Sequence, residues 1–168
     1  MSRCLSIVSI AYENSGCLCG RPHDAFKYLK EHDGLASGRS YPYTGVSTGE
    51  TCLASTMPKV ASMASYTMIN NEQSLLNAVA TVGTVVVAIN NASQELTNYK
   101  SGILDVPDCG NSPAEWFLVV GYGAENGVDF WSLQSSRGVG WGEQGYLRLV
   151  RGKNMCGVAD WASYAVAK

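Results

Sequence analysis

The second half of the chain is written in short apolar runs cut by glycine, and this pattern constrains the fold more than any other feature. After Gly83, residues 84–89, 117–121, 129–134 and 145–150 are rich in β-branched and aromatic side chains, with 163–166 as a candidate last strand. Runs this short, bounded by turn residues, suit strands and not long helices, and they predict a mostly antiparallel sheet. Thr84-Val85-Val86-Val87-Ala88-Ile89 and Phe117-Leu118-Val119-Val120 fall far below the roughly 18 apolar residues that cross a bilayer, so both read as buried strands.

Upstream, the period changes. Residues 22–32 predict a helix, because Ala25, Phe26, Tyr28 and Leu29 form one stripe while Lys27, Lys30 and Glu31 face away, with Gly34 as the C-cap. Tyr41-Pro42-Tyr43-Thr44-Gly45 begins a loop region. Residues 72–82 predict a second helix, with Leu75, Leu76, Val79 and Ala80 on one side, Asn71 or Asn70 as N-cap and Gly83 as its stop. A small helical portion leading into a β-rich body is an α+β plan, with its boundary near residues 55–65. At 168 residues the chain is long enough for one core and short for two full domains of about 100–150 residues each.

Charge narrows the partners. Twelve Lys and Arg stand against fourteen Asp and Glu, without the clustered positive charge that nucleic acid or an anionic membrane surface requires. Neither is expected as a partner. Met1-Ser2-Arg3-Cys4-Leu5-Ser6-Ile7-Val8-Ser9-Ile10 has a basic residue before a few apolar ones but no apolar core segment or small-residue cleavage site, so no targeting segment is read there. Six cysteines, Cys4, Cys17, Cys19, Cys52, Cys109 and Cys156, fit an oxidising compartment, and sequence alone does not choose their pairing. Asn91-Ala92-Ser93 is a glycosylation sequon, a pattern common by chance and informative only for a secreted chain.

Taken in order, a series of segments resembles the papain-like cysteine proteases, nearest the cathepsin L branch. They are Gly16-Cys17-Leu18-Cys19-Gly20, Ser40-Tyr41-Pro42-Tyr43-Thr44-Gly45, Tyr99-Lys100-Ser101-Gly102-Ile103, Leu118-Val119-Val120-Gly121-Tyr122-Gly123, Gly138-Val139-Gly140-Trp141-Gly142-Glu143-Gln144-Gly145-Tyr146 and Cys156-Gly157-Val158-Ala159. The resemblance implies a papain-like fold with a truncated helical domain over residues 1–58 and an intact antiparallel β-barrel domain over 59–168. In that family the nucleophile lies in a Q-x-x-C-G-S-C-W segment upstream of G-C-x-G-G. The present sequence starts after that point, its Leu5-Ser6 matching the stretch just before the motif. The resemblance thus implies that roughly a fifth of a typical mature domain is absent.

The resemblance also implies changed chemistry in the part that is present. The family histidine of D-H-G-V-L-V-V-G-Y-G falls at Glu115 in Ala114-Glu115-Trp116-Phe117. The orienting asparagine and shielding tryptophan of K-N-S-W-G fall at Ser135 and Arg137. A thiolate nucleophile needs a base, and the base needs a group that holds it. The two histidines, His23 and His32, fall on the helix of residues 22–32, so papain-type peptide hydrolysis is not expected. The family disulfide pattern implies Cys109–Cys156; the partner of Cys17 belongs to the upstream segment, and that of Cys52 falls at Tyr12.

Cys4, Cys17, Cys19 and Cys52 then read as buried or re-paired thiols. A zinc site from Cys17, Cys19, His23 and Cys4 or Cys52 is the other reading, against which the C-x-C spacing stands. Cys19 replaces a cleft glycine of the family, Pro22 and Trp161 fall where the main specificity pocket is lined, and Trp116 takes the place of the glycine after the histidine. The binding positions are therefore Cys19, Pro22, Trp116, Arg137 and Trp161.

Two functions remain. One is a catalytically inactive papain-like homologue that binds a peptide, a protease or another partner. The other is a repurposed non-proteolytic enzyme of lyase, isomerase or cyclase type, with Glu115 as acid or base among Trp116, Arg137 and Trp161 and a small aromatic molecule as ligand. An ordinary Glu115–Arg137 salt bridge is the simpler expectation for that pair. No cofactor or metal is expected. A face bared by a missing helix implies a homodimer or a protein partner. The resemblance implies a secreted or lysosomal protein, with the cytoplasm left open by the start at Met1.

Overall fold

The computed structural model describes residues 20–42 and 56–168. Cys4, Tyr12, Cys17, Cys19, Cys52 and the end of the loop expected at 41–45 lie outside the described residues. The chain divides into two units, one of residues 1–67 with 165–168, the other of 68–164.

In the first unit α1 spans Pro22–Glu31, with Pro22 in the first turn, where its fixed φ and missing N–H cost nothing. Ala25, Phe26, Tyr28 and Leu29 are half-buried while Lys27, Lys30 and Glu31 are exposed, as the stripe predicts. The helix ends differently from expectation. Asp33 follows the His32 cap in the left-handed conformation at φ 56°, Gly34 comes next, also at positive φ (114°), and the Gly34 N–H closes the turn on the Leu29 carbonyl at 3.1 Å. Gly34 is needed one residue later, where a Cβ would lie 2.1 Å from the Ala61 carbonyl oxygen. That close approach accompanies a short antiparallel pair, β1 (Leu35–Ala36) with β2 (Lys59–Ala61).

In the second unit α2 (Glu72–Thr81) starts on Asn71, whose side-chain oxygen accepts from the Ser74 N–H at 2.8 Å. Asn71 is therefore the cap, and not Asn70. Leu75 and Ala78 are buried, with Leu76 and Val79 packed beside them, while Ala80 faces out. The remaining strands are β3 (Met63–Ile69), β4 (Val85–Ile89), β5 (Ile103–Leu104), β6 (Glu115–Glu125), β7 (Val128–Gln134), β8 (Tyr146–Val150) and β9 (Ala162–Ala167); residues 63–67 of β3 and 165–167 of β9 are counted with the first unit. A single turn of helix, α3 (Gln94–Thr97), follows β4, and a 3-10 turn spans Met155–Gly157.

The α+β class holds, but the expected intact barrel is corrected: the sheet is open in its hydrogen bonding. Its order is β3-β9-β4-β6-β7-β8-β5, with β3 and β5 at separate edges. Among the described residues the two-residue β5 meets only β8, in parallel at Ile103 with Arg148, and no ladder there completes a ring. β2 and β3 were not foreseen, because β2 is exposed throughout and β3 buries fully only Ile69, so neither shows the alternation of a half-buried strand.

Alternation along β4 and β6 sets the core. Val85, Val87 and Ile89 pair with Val119, Phe117 and Glu115, and the valines, Ile89 and Phe117 are almost wholly buried. Trp131, Leu133, Leu147 and Leu149 continue the buried layer across β7 and β8. Glu72 ties α2 to it: its carboxylate accepts from the Trp131 indole at 2.8 Å, Gly152 N at 3.1 Å and Asn154 N at 2.8 Å. Cys109 and Cys156 form the expected disulfide, Cα atoms 5.0 Å apart.

Candidate functional site

Glu115 opens β6 opposite Ile89, the last residue of β4, so its carboxylate stands at the open end of the buried row. Ser135 follows β7 directly, its N–H donating to the Gly145 carbonyl at 2.9 Å. Its hydroxyl oxygen accepts from the Arg137 N–H at 3.0 Å, which turns the arginine back toward β6. The Arg137 guanidinium then meets Glu115 with two donors, Nε to Oε1 at 2.8 Å and Nη2 to Oε2. Asn91 Nδ2 adds a longer bond to Oε2 at 3.4 Å.

The pair is partly shielded, with side-chain exposures of 24% for Arg137 and 16% for Glu115. A forked guanidinium–carboxylate contact is stronger and more directional than a lysine pair. Behind it, Arg137 lies 4.9 Å from the centre of the Trp141 ring, which packs on Tyr99 and Phe117 and donates its indole N–H to Thr97 O at 3.3 Å. Gly142 is obligatory here, since a Cβ would come 2.5 Å from the Tyr146 carbonyl oxygen.

Next to this support is a second ionic group. Arg148 donates to both oxygens of Glu143, at 2.9 and 2.8 Å, and to Glu125 at 2.9 Å. Glu143 also accepts from Gly102 N at 2.8 Å. The Arg148 guanidinium holds the Glu143 carboxyl below its ordinary range, and Glu143, followed by Glu125, raises Arg148 in return. Burial lifts the Tyr99 phenol above its usual value.

The structure gathers Glu115, Ser135 and Arg137, and the hydrogen bonds that join them involve neither of the expected tryptophans, Trp116 and Trp161. Trp116 pairs with Ala88 of β4, and the Ala88 N–H donates to the Trp161 carbonyl at 3.0 Å, so Ala88 stands between the two. Successive strand residues project to opposite faces, so Trp116 belongs to the other row from Glu115. Pro22 sits at the start of α1 in the first unit, and Cys19 lies outside the described residues. His23 approaches Asp24 at 3.5 Å and His32 stacks on Tyr28, both in the first unit. Among the described residues no group of three or more His, Cys, Asp or Glu is arranged to hold a metal.

Asn91 and Trp141 are contributors that sequence reasoning did not assign. Trp141 had a signal, standing four residues after Arg137 within a glycine-rich turn. Asn91 had none, since only the β4–β6 register brings it to Glu115.

Chemically, a carboxylate with both oxygens on a guanidinium offers a fixed ion pair. It lacks the paired donor and acceptor nitrogens of an imidazole.

The description "Papain family cysteine protease" matches residues 4–166. Oryzain gamma chain from Oryza sativa subsp. japonica is 39% identical over 163 residues, covering 93% of this chain and 44% of its own length. Cathepsin S from Mus musculus is 38% identical over 156 residues, covering 91% and 45%. The chain thus spans about half the length of the curated relatives it matches. Among solved structures, digestive procathepsin L 3 of Tenebrio molitor larval midgut superposes with a TM-score of 0.84 at 39% identity, covering 94% of this chain and 52% of that one. Bromelain from Ananas comosus, in complex with the E64 inhibitor, also gives 0.84, at 32% identity, covering 96% and 76%. Sequence and fold agree, and the chain belongs to the papain family of cysteine proteases.

Proposed function

We infer that this chain acts by binding an extended peptide or a segment of a partner protein, without papain-type peptide hydrolysis. The observation that carries the reading is the forked Glu115–Arg137 pair. The resemblance sets Glu115 at the position of the family histidine and Ser135 at that of its asparagine. A carboxylate whose two oxygens are aimed at a guanidinium, with Asn91 on one of them, is held facing its own partners and not a thiol. Trp116, half-buried on the opposite row, offers the flat apolar surface that peptide side chains use.

A second reading, a lyase, isomerase or cyclase with Glu115 as acid or base, has less support. Both carboxylate oxygens are already engaged, and Trp116 lies on the other row of β6.

The test is twofold. The full chain is incubated with fluorogenic peptide amides and with E64, the inhibitor that bromelain holds. The expected result is no turnover and no labelling; hydrolysis that E64 abolishes overturns the reading. In parallel, a fluorescein-labelled peptide carrying an aromatic side chain is titrated and followed by anisotropy. Saturable binding that weakens at least about tenfold in Trp116→Ala supports the reading, a change of about 1.4 kcal/mol. Binding equal in wild type and Trp116→Ala removes Trp116 from it.

A further inference from the structure

We propose that Asn91 is an N-glycosylation acceptor whose glycan stands beside the Glu115–Arg137 pair. The tripeptide Asn91-Ala92-Ser93 satisfies the acceptor rule, with alanine and not proline at the middle position. Such a pattern is informative only in a chain that enters the secretory route, and one feature of the structure is in keeping with that route. Cys109 and Cys156 are joined in a disulfide, a bond that forms and persists in the oxidising compartments where sequons are read.

The local geometry is permissive. The tripeptide occupies the irregular connection between β4 and α3, with Ala92 exposed and Asn91 half-buried. Asn91 commits little: its Nδ2 bond to Glu115 is long at 3.4 Å, and the same oxygen is served by Arg137. Ser93 Oγ accepts from Leu96 N at 3.1 Å as the cap of α3, a role in which its own O–H proton is still free to donate.

The chemistry is a group transfer with no change of oxidation state. Asn91 Nδ2 forms a bond to the anomeric carbon of an oligosaccharide carried on a lipid pyrophosphate. The bond from that carbon to the pyrophosphate oxygen breaks, and the lipid pyrophosphate leaves with the electron pair. One Nδ2 proton passes to a base of the transferase. The glycosylated amide keeps its second N–H, so the contact with Glu115 survives while the first sugar emerges at the rim of the ion pair.

The experiment produces the chain through the secretory pathway of insect cells and examines both cell-associated and secreted protein, because transfer precedes folding. Glycan release by the amidase that converts the linked asparagine to aspartate, followed by tandem mass spectrometry, reads occupancy at residue 91. The expected result is a glycan at Asn91 that is absent in Asn91→Gln and in Ser93→Asp. Ser93→Asp keeps a good N-cap for α3, so its loss of glycan separates the sequon from folding. Ser93→Thr retains both cap and sequon and is expected to stay glycosylated. A disulfide-bonded wild-type chain with unmodified Asn91 in both pools overturns the proposal, as does a glycan that persists in Asn91→Gln.

Discussion

At the scale of single residues, the Glu115–Arg137 pair combines a modest attraction with a larger penalty for being broken. Each group is mostly out of water, so removing one leaves the other short of its partner. Glu115→Ala is expected to lower stability by about 2 kcal/mol in urea unfolding. Glu115→Ala combined with Arg137→Ala is expected to recover part of that loss, because no orphaned charge remains. A double variant that is the sum of the two singles rejects the coupling. Opposite charges made this contact legible in the sequence once Glu115 and Arg137 were set at neighbouring positions by resemblance. The contacts of Asn91 and of the Glu72 carboxylate were not legible, since each spans strands or turns far apart in the chain.

At the scale of elements, the β-rich half was read well wherever burial alternates along a strand. Residues 84–89 and 145–150 match β4 and β8 to within one residue, and β6, eleven residues from Glu115 to Glu125, overruns the apolar stretch at 117–121 at both ends. What escaped was exposed, as in β2, or too short to carry a period, as in β5. Strand neighbours are also joined by charge, through Arg148 of β8 with Glu125 of β6 and with Glu143. Glu143 is held below its ordinary value near 4.5, first of all by the side chain of Arg148. A carboxyl depressed by folding contributes stability above its unfolded pKa and loses that contribution as pH falls through the folded value. The stability gap between wild type and Glu143→Gln is therefore expected to be widest near neutrality and to narrow below about pH 4.5, followed by urea midpoints at several pH values. A gap that does not change with pH shows that the contact contributes nothing through ionisation.

At the scale of the molecule, the disulfide closes a loop of 47 residues that contains β6, β7 and β8. In the chain-entropy account a loop of this length is worth about 4 kcal/mol, a large share of the roughly 5–15 kcal/mol that holds a domain folded. Cys109→Ser with Cys156→Ser is expected to lose most of that, read as a lower urea midpoint; an unchanged midpoint assigns the loop no restraint. The pairing was available only through resemblance, and the strand order and open edges were not available at all, because they depend on contacts between distant segments. The bulge in β6 between Val119 and Gly121 carries a further consequence. Before it, odd-numbered Val119 is in register with the buried Leu133; after it, even-numbered Tyr122, itself exposed, is in register with the buried Trp131. The strand is thus a signal with one phase shift, and its two ends are locked to different counts. A deletion of one residue between Trp116 and the bulge moves Glu115 to the place of Trp116 opposite Ala88 and Trp116 into the buried row opposite Val87, so the spacing of this strand constrains the protein more tightly than any one of its side chains.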